Sequence, residues 1–160
     1  MPLELVTPKT PPGWAEARRL IEEYAASLGV DLCFQDLAGE LEHLEEQYGP
    51  PHGHFLLALR GSAAVGCVGL RRFAEGAAEM KRLYVVDAER GRGTGRALVA
   101  EIVAAARHLG YARLLLDTLP PMRAAQQLYL AFGFRPIPPY RHNPIAGAAY
   151  LELALGPASG

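Results

Sequence analysis

The sequence predicts a mixed α/β fold, and three observations carry that reading. Three strand-like segments follow one another between His54 and Val86, an amphipathic helical pattern runs from Leu98 to Leu109, and a short apolar run, Leu114–Leu116, comes next. Three sequential strands make an antiparallel meander. The following strand–helix–strand passage makes a β-α-β crossover, which is right-handed and leaves its two strands parallel.

The elements can be justified in order. Leu3 to Val6 reads as a short opening strand, and Pro11-Pro12-Gly13 turns the chain into a helix from Trp14 to Leu28, stopped by Gly29. A second helix runs from Asp36 to Tyr48: Asp36 is its N-cap, Leu37, Leu41 and Leu44 recur at helical spacing, and Gly49-Pro50-Pro51 ends it. Strands His54–Leu59 and Ala64–Phe73 meet in a hairpin turn at Arg60-Gly61-Ser62, and a third, Ala78–Val86, follows Glu75-Gly76. Leu98, Ile102, Ala105 and Leu109 form one helix face that closes at Gly110. Leu114–Leu116, bounded by Gly110 and Pro120, reads as a strand buried on both faces. Ala125, Leu128 and Phe132 mark a short helix capped by Gly133, and Ala149 to Leu155 is a last strand.

The 160 residues suit a single domain that buries roughly 70% of its unfolded surface. Half the residues are apolar and 21% are charged, which excludes disordered and fibrous classes. With no apolar run of roughly 18 residues and no basic segment leading into an apolar one, the expectation is a cytoplasmic protein without membrane contact. Cys33 and Cys67 read as small buried thiols. His43, His52, His54 and His108 lack ligand spacing, so no metal is expected.

Charge is distributed unevenly. Residues 1–50 carry three basic and ten acidic side chains, whereas residues 51–160 carry thirteen and seven. The second part would favour a polyanionic ligand and the first could favour an amine, but Glu40, Glu42, Glu45 and Glu46 read first as the solvated face of a helix. No stripe of aromatic and basic residues points to nucleic acid.

The segment Arg90-Gly91-Arg92-Gly93-Thr94-Gly95-Arg96 lies between strand and helix. Its glycines let backbone approach a ligand closely, the first free amides of the helix point outward, and three arginines add charge. A pyrophosphate fits such a cradle. A Walker loop would end in Gly-Lys-Ser/Thr, and a dinucleotide fingerprint would read Gly-x-Gly-x-x-Gly, whereas the spacing here is Gly-x-Gly-x-Gly.

Arg90-x-x-Gly93-x-Gly95 resembles the Arg/Gln-x-x-Gly-x-Gly/Ala signature of the GNAT acyltransferase superfamily. Leu83-Tyr84-Val85 resembles its splayed central strand, and Leu128-Tyr129-x-x-Phe132-Gly133-Phe134 its later tyrosine motif. The resemblance implies a mixed sheet of about seven strands in the order β-α-α-β-β-β-α-β-α-β-β, with residues 1–52 as acceptor-side helices and 53–155 as the acyl-CoA core. It implies transfer of an acetyl group from acetyl-CoA to a primary amine, with dimers frequent and an apolar C-terminal strand near an edge as a contact.

Site roles follow from the same resemblance. Backbone around Leu83, Tyr84 and Val85 would polarise the acyl carbonyl. The amides of Gly91 to Arg96 would hold the pyrophosphate. Tyr129 would protonate the departing thiolate, or else simply pack beside Leu128 and Phe132. Glu79, placed by strand alternation on one face with Lys81, Leu83 and Val85, is a candidate general base or an arginine partner. Glu152 and Asp117 are weaker candidates. Met122 stands where the family has an asparagine that contacts the pantetheine arm, and a thioether there can pack against the arm instead. Tyr140, His142 and Asn143, in the proline-rich loop before the last strand, are candidate acceptor contacts or solvated loop residues. A non-catalytic acyl-CoA sensor would keep Arg90 to Arg96 without needing Tyr129 or Glu79.

Overall fold

The structure, a computed structural model, describes residues 1–28 and 36–156. Seven strands form one sheet in the order β1-β2-β3-β4-β5-β7-β6. They are β1 (Leu3–Val6), β2 (His54–Arg60), β3 (Ala63–Ala74), β4 (Ala77–Val85), β5 (Arg113–Thr118), β6 (Arg135–Ile137) and β7 (Ala149–Ala154). Short turns make β2, β3 and β4 antiparallel neighbours, with Gly61 (φ 66°) and Gly76 (φ 74°) supplying the left-handed backbone each turn needs. The crossover through α4 (Thr94–His108) makes β4 and β5 parallel, as the sequence predicts. That pairing covers only Ala77 to Glu79 against Arg113 to Leu115. Beyond it the two strands part, and a chamber opens in the gap.

Each face of the sheet carries its own core. On one, α4 and α5 (Arg123–Ala131) cover Val68, Leu70, Met80, Leu114 and Phe134. On the other, α1 (Pro11–Leu28) and α3 (Leu44–Tyr48) cover Phe55, Leu57 and Cys67 with Leu20, Ile21 and Tyr48. Full burial of such side chains contributes about 1.5–3 kcal/mol each.

Three expectations change. The first helix starts at Pro11, not Trp14, because amides in a first turn have no helical acceptor and prolines cost nothing there; Trp14 N–H already bonds Thr10 O at 3.1 Å. The second helix is two, α2 (Leu37–Glu42) and α3, broken at His43 (φ −130°, ψ 37°). Asp36 does not cap it: the residue sits in the left-handed region (φ 52°, ψ 50°) with no side-chain cap bond. The C-terminal strand β7 lies near an edge, one strand in, because β6 pairs outside it; that edge strand is only three residues long with Pro136 in the middle. The predicted helix stop at Gly29 and the thiol of Cys33 lie outside the described residues.

Candidate active site

The glycine segment forms an open cradle. After β4 a 3-10 turn, Asp87–Glu89, leads through Gly91 (φ 81°) to Gly93 (φ 83°), which precedes α4. Other residues resist that conformation, so glycine is required at both places. The first bond of the helix runs from Ala97 N–H to Gly93 O at 3.0 Å, leaving the amides of Thr94, Gly95 and Arg96 outside the helical pattern. Glu89 braces the loop, accepting from Arg60 Nη2 at 2.6 Å and from Thr94 Oγ1 at 2.7 Å, and with Asp87 it also borders the groove that opens there. Arg60 and then Thr94 hold its carboxyl at about 2.

A groove of about 600 Å³ extends from this cradle. Leu83, Tyr84 and Val85 line one wall, Arg90, Gly91, Gly93, Thr94 and Gly95 the end, and Met122 and Arg123 the far side. Arg92 and Arg96 do not line it: Arg92 lies 3.7 Å from Glu89, and the Arg96 guanidinium stands 5.8 Å over the Phe132 ring. The groove's volume, the free helix amides and the cationic Arg90 suit a large ligand that carries a phosphate group at this end.

The gap between β4 and β5 holds a smaller chamber of about 30 Å³. Lys81, Arg82 and Leu83 face Leu116 to Leu119 across it, with Tyr129 from α5, Tyr24 from α1 and Asn143 completing the lining. Tyr24, Leu28, Leu83 and Met122 border both spaces, so groove and chamber meet there. Burial raises the Tyr129 phenol above its ordinary range, and it stays protonated at neutral pH. Tyr24 was missed from sequence. Its signal is spacing alone, since it continues the buried stripe of Ala17, Leu20 and Ile21.

A bulge at Arg82 (φ 63°) shapes the chamber, and β3–β4 register shifts opposite it, between Cys67 and Gly69. The inserted residue resets side-chain alternation. Met80, Leu83 and Val85 therefore all pack on the α4 side, which corrects the expectation that Glu79 shares a face with Leu83 and Val85.

Glu79 is fully buried in a charge network instead. Its Oε2 accepts from Tyr140 O–H at 2.8 Å, and its Oε1 from Arg141 Nη2 at 2.8 Å and from Arg71 Nη2 and Nε at 3.1 and 3.2 Å. Glu40 corrects another expectation. It is 2% exposed, not solvated, and grips Arg82 through two 2.9 Å bonds. Burial works to raise its carboxyl, but Arg82, Arg71 and Lys81 prevail and hold it below the usual range. The loop before β7 divides its candidates: Tyr140 bonds Glu79, Asn143 lines the chamber, and His142 is exposed and borders none of these spaces.

Comparison with known proteins agrees with this geometry. The model of the acetyltransferase (GNAT) family matches residues 15–134. A Schizosaccharomyces pombe protein named as an uncharacterized N-acetyltransferase is 41% identical over 149 residues, spanning 92% of this chain and 91% of its own. A GNAT-family acetyltransferase structure from Staphylococcus aureus shares the fold with a TM-score of 0.79 at 20% identity, over 96% of this chain and 99% of that one. The PaiA N-acetyltransferase of Thermoplasma acidophilum, solved with coenzyme A, aligns with a TM-score of 0.69 at 15% identity, over 96% and 99%. Family match and fold together make this chain an acetyltransferase, a member of the GNAT family.

Proposed function

We propose that the chain moves an acetyl group from acetyl-CoA to a primary amine, by direct attack while both substrates are bound. The observation that carries this reading is the continuity of groove and chamber at Tyr24, Leu28, Leu83 and Met122, which joins the phosphate cradle to Tyr129. Coenzyme A in the Thermoplasma neighbour supports the choice of donor.

In this reading the amides near Gly91 to Gly95 and the side chain of Arg90 hold the pyrophosphate, while Arg92 and Arg96 contribute charge from the rim. Backbone of Leu83 to Val85 faces the acyl carbonyl, and Met122 packs against the pantetheine arm. Tyr129 gives its proton to the departing sulfur. Glu79 anchors Tyr140 and Arg141, and so fixes the loop from which Asn143 borders the acceptor's approach, with His142 on its exposed side. Residues 1–52 supply the acceptor side and 53–155 the donor side of one working unit.

The test is incubation with acetyl-CoA and a panel of amines while free thiol is monitored. The parent should release thiol only with a competent amine, and Tyr129→Phe should lower kcat by about 10²–10⁴-fold with acetyl-CoA affinity kept. Tight acetyl-CoA binding with no turnover on any amine would leave a sensor as the better reading.

A further inference from the structure

We propose that Asp117 is the base that takes the proton from the acceptor amine. The assignment rests on the acetyl-transfer reading above and adds the residue that serves the nucleophile.

Asp117 is the penultimate residue of β5, two beyond Leu115, where pairing with β4 ends. Its side chain is only 7% exposed, yet it lines the chamber that opens between the two strands. Its protein contacts are long: Lys81 Nζ lies 3.5 Å from Oδ1, and Asn143 Nδ2 donates to Oδ2 at 3.4 Å. At such lengths a hydrogen bond is weak, so the carboxylate keeps lone-pair capacity for an incoming N–H.

Glu79 is in the opposite condition. It accepts four bonds of 2.8–3.2 Å, three of them from guanidinium groups, and it lines neither the groove nor the chamber. A carboxylate so engaged is committed to its ion pairs. Of the two acids, Asp117 has both the access and the spare capacity.

Its charge also suits the opposite end of the reaction. Burial raises the phenol of Tyr129, and the negative charge of Asp117 adds to that rise. The carboxylate that serves as base therefore helps keep the acid protonated, as an acid–base pair in one site requires.

The step balances. The amine nitrogen bonds to the thioester carbonyl carbon as Asp117 takes its proton; the carbon–sulfur bond breaks, its electron pair goes to sulfur, and Tyr129 O–H protonates the thiolate. Asp117 then returns its proton to the Tyr129 oxygen through solvent. The proton lost by nitrogen is thus matched by the one gained by sulfur, and both side chains are restored.

Asp117→Asn, nearly isosteric, tests the assignment alongside Glu79→Gln and Asp117→Glu, with calorimetric acetyl-CoA affinity and amine-dependent thiol release as readouts. Asp117→Asn should keep affinity within about threefold of the parent and lose about 10²–10⁴-fold in kcat, while Asp117→Glu recovers a measurable part of the rate. Glu79→Gln should act mainly on the amine KM. Turnover by Asp117→Asn within about threefold of the parent overturns the assignment, as does an affinity loss that matches the rate loss. Either result leaves the transferase reading intact. A parent that binds acetyl-CoA but acetylates no amine overturns that reading, and this one with it.

Discussion

Glu89 lines the end of the groove and braces the glycine loop. Arg60, at the end of β2, and Thr94, in the first turn of α4, hold its carboxyl at about 2, below the ordinary 4.5. A carboxyl depressed in the folded state adds stability above its unfolded value, and that stability fades as pH falls from about 4.5 towards 2. Glu89→Gln should lower the urea midpoint at pH 7 and flatten its dependence on pH across that window. A variant whose midpoint tracks the parent's from pH 7 to pH 2 would refute the bracing role. Gly69 is constrained by space instead: a Cβ there would stand 2.7 Å from Tyr48 Cε1 and 3.1 Å from Phe55 Cδ2, both rings buried. Gly69→Ala should cost about 1–3 kcal/mol by chemical denaturation. Around the groove, the left-handed glycines Gly91 and Gly93 and the place of Arg90 could be read from the sequence, because they depend on local backbone freedom and charge, whereas Arg92 and Arg96 do not line it. Glu40 was misread and Tyr24 overlooked because their roles come from partners far along the chain, such as Arg82 and the β4–β5 gap.

At the scale of elements, the Glu40–Arg82 pair ties α2 to the bulge that opens the chamber. Both side chains are 2% exposed, so removing one leaves the other charge buried and uncompensated. Glu40→Leu should therefore destabilise the fold by about 3–5 kcal/mol. If the pair also sets the bulge, acetyl-CoA affinity should fall in conditions where the variant is still folded; unchanged stability in denaturant would show that the bulge stands without α2. Apolar periodicity reports that a helix has a buried side, and Leu37, Leu41 and Leu44 do so here. It cannot report that one turn must bend to bring a glutamate to an arginine. The strands were easier to read because β2, β3 and β4 are joined by short turns. The inner place of β7 was not, since nothing local to Ala149–Ala154 reveals that β6 pairs on its far side.

The whole molecule is two cores separated by a sheet, and the groove is lined from both sides of it: α1 contributes Tyr24 and Leu28, α4 contributes Thr94 and Gly95, and α5 contributes Ala125 and Leu128. A donor bound there touches both layers, so its binding free energy should appear as stability of the entire fold. At a hundredfold excess over Kd that amounts to about 2.7 kcal/mol. For a chain of this size each kcal/mol raises Tm by roughly 2–4 °C, so a rise of several degrees with acetyl-CoA is expected. Tyr129→Phe should keep that rise, because the proposal assigns its hydroxyl to proton transfer and not to binding. Gly93→Ala should diminish it: the residue sits at φ 83°, where a side chain is strained, and a shift there would misdirect the amides that begin α4. An undiminished acetyl-CoA shift in Gly93→Ala, measured at equal multiples of the parent's Kd, would show that the phosphates do not rest on this loop.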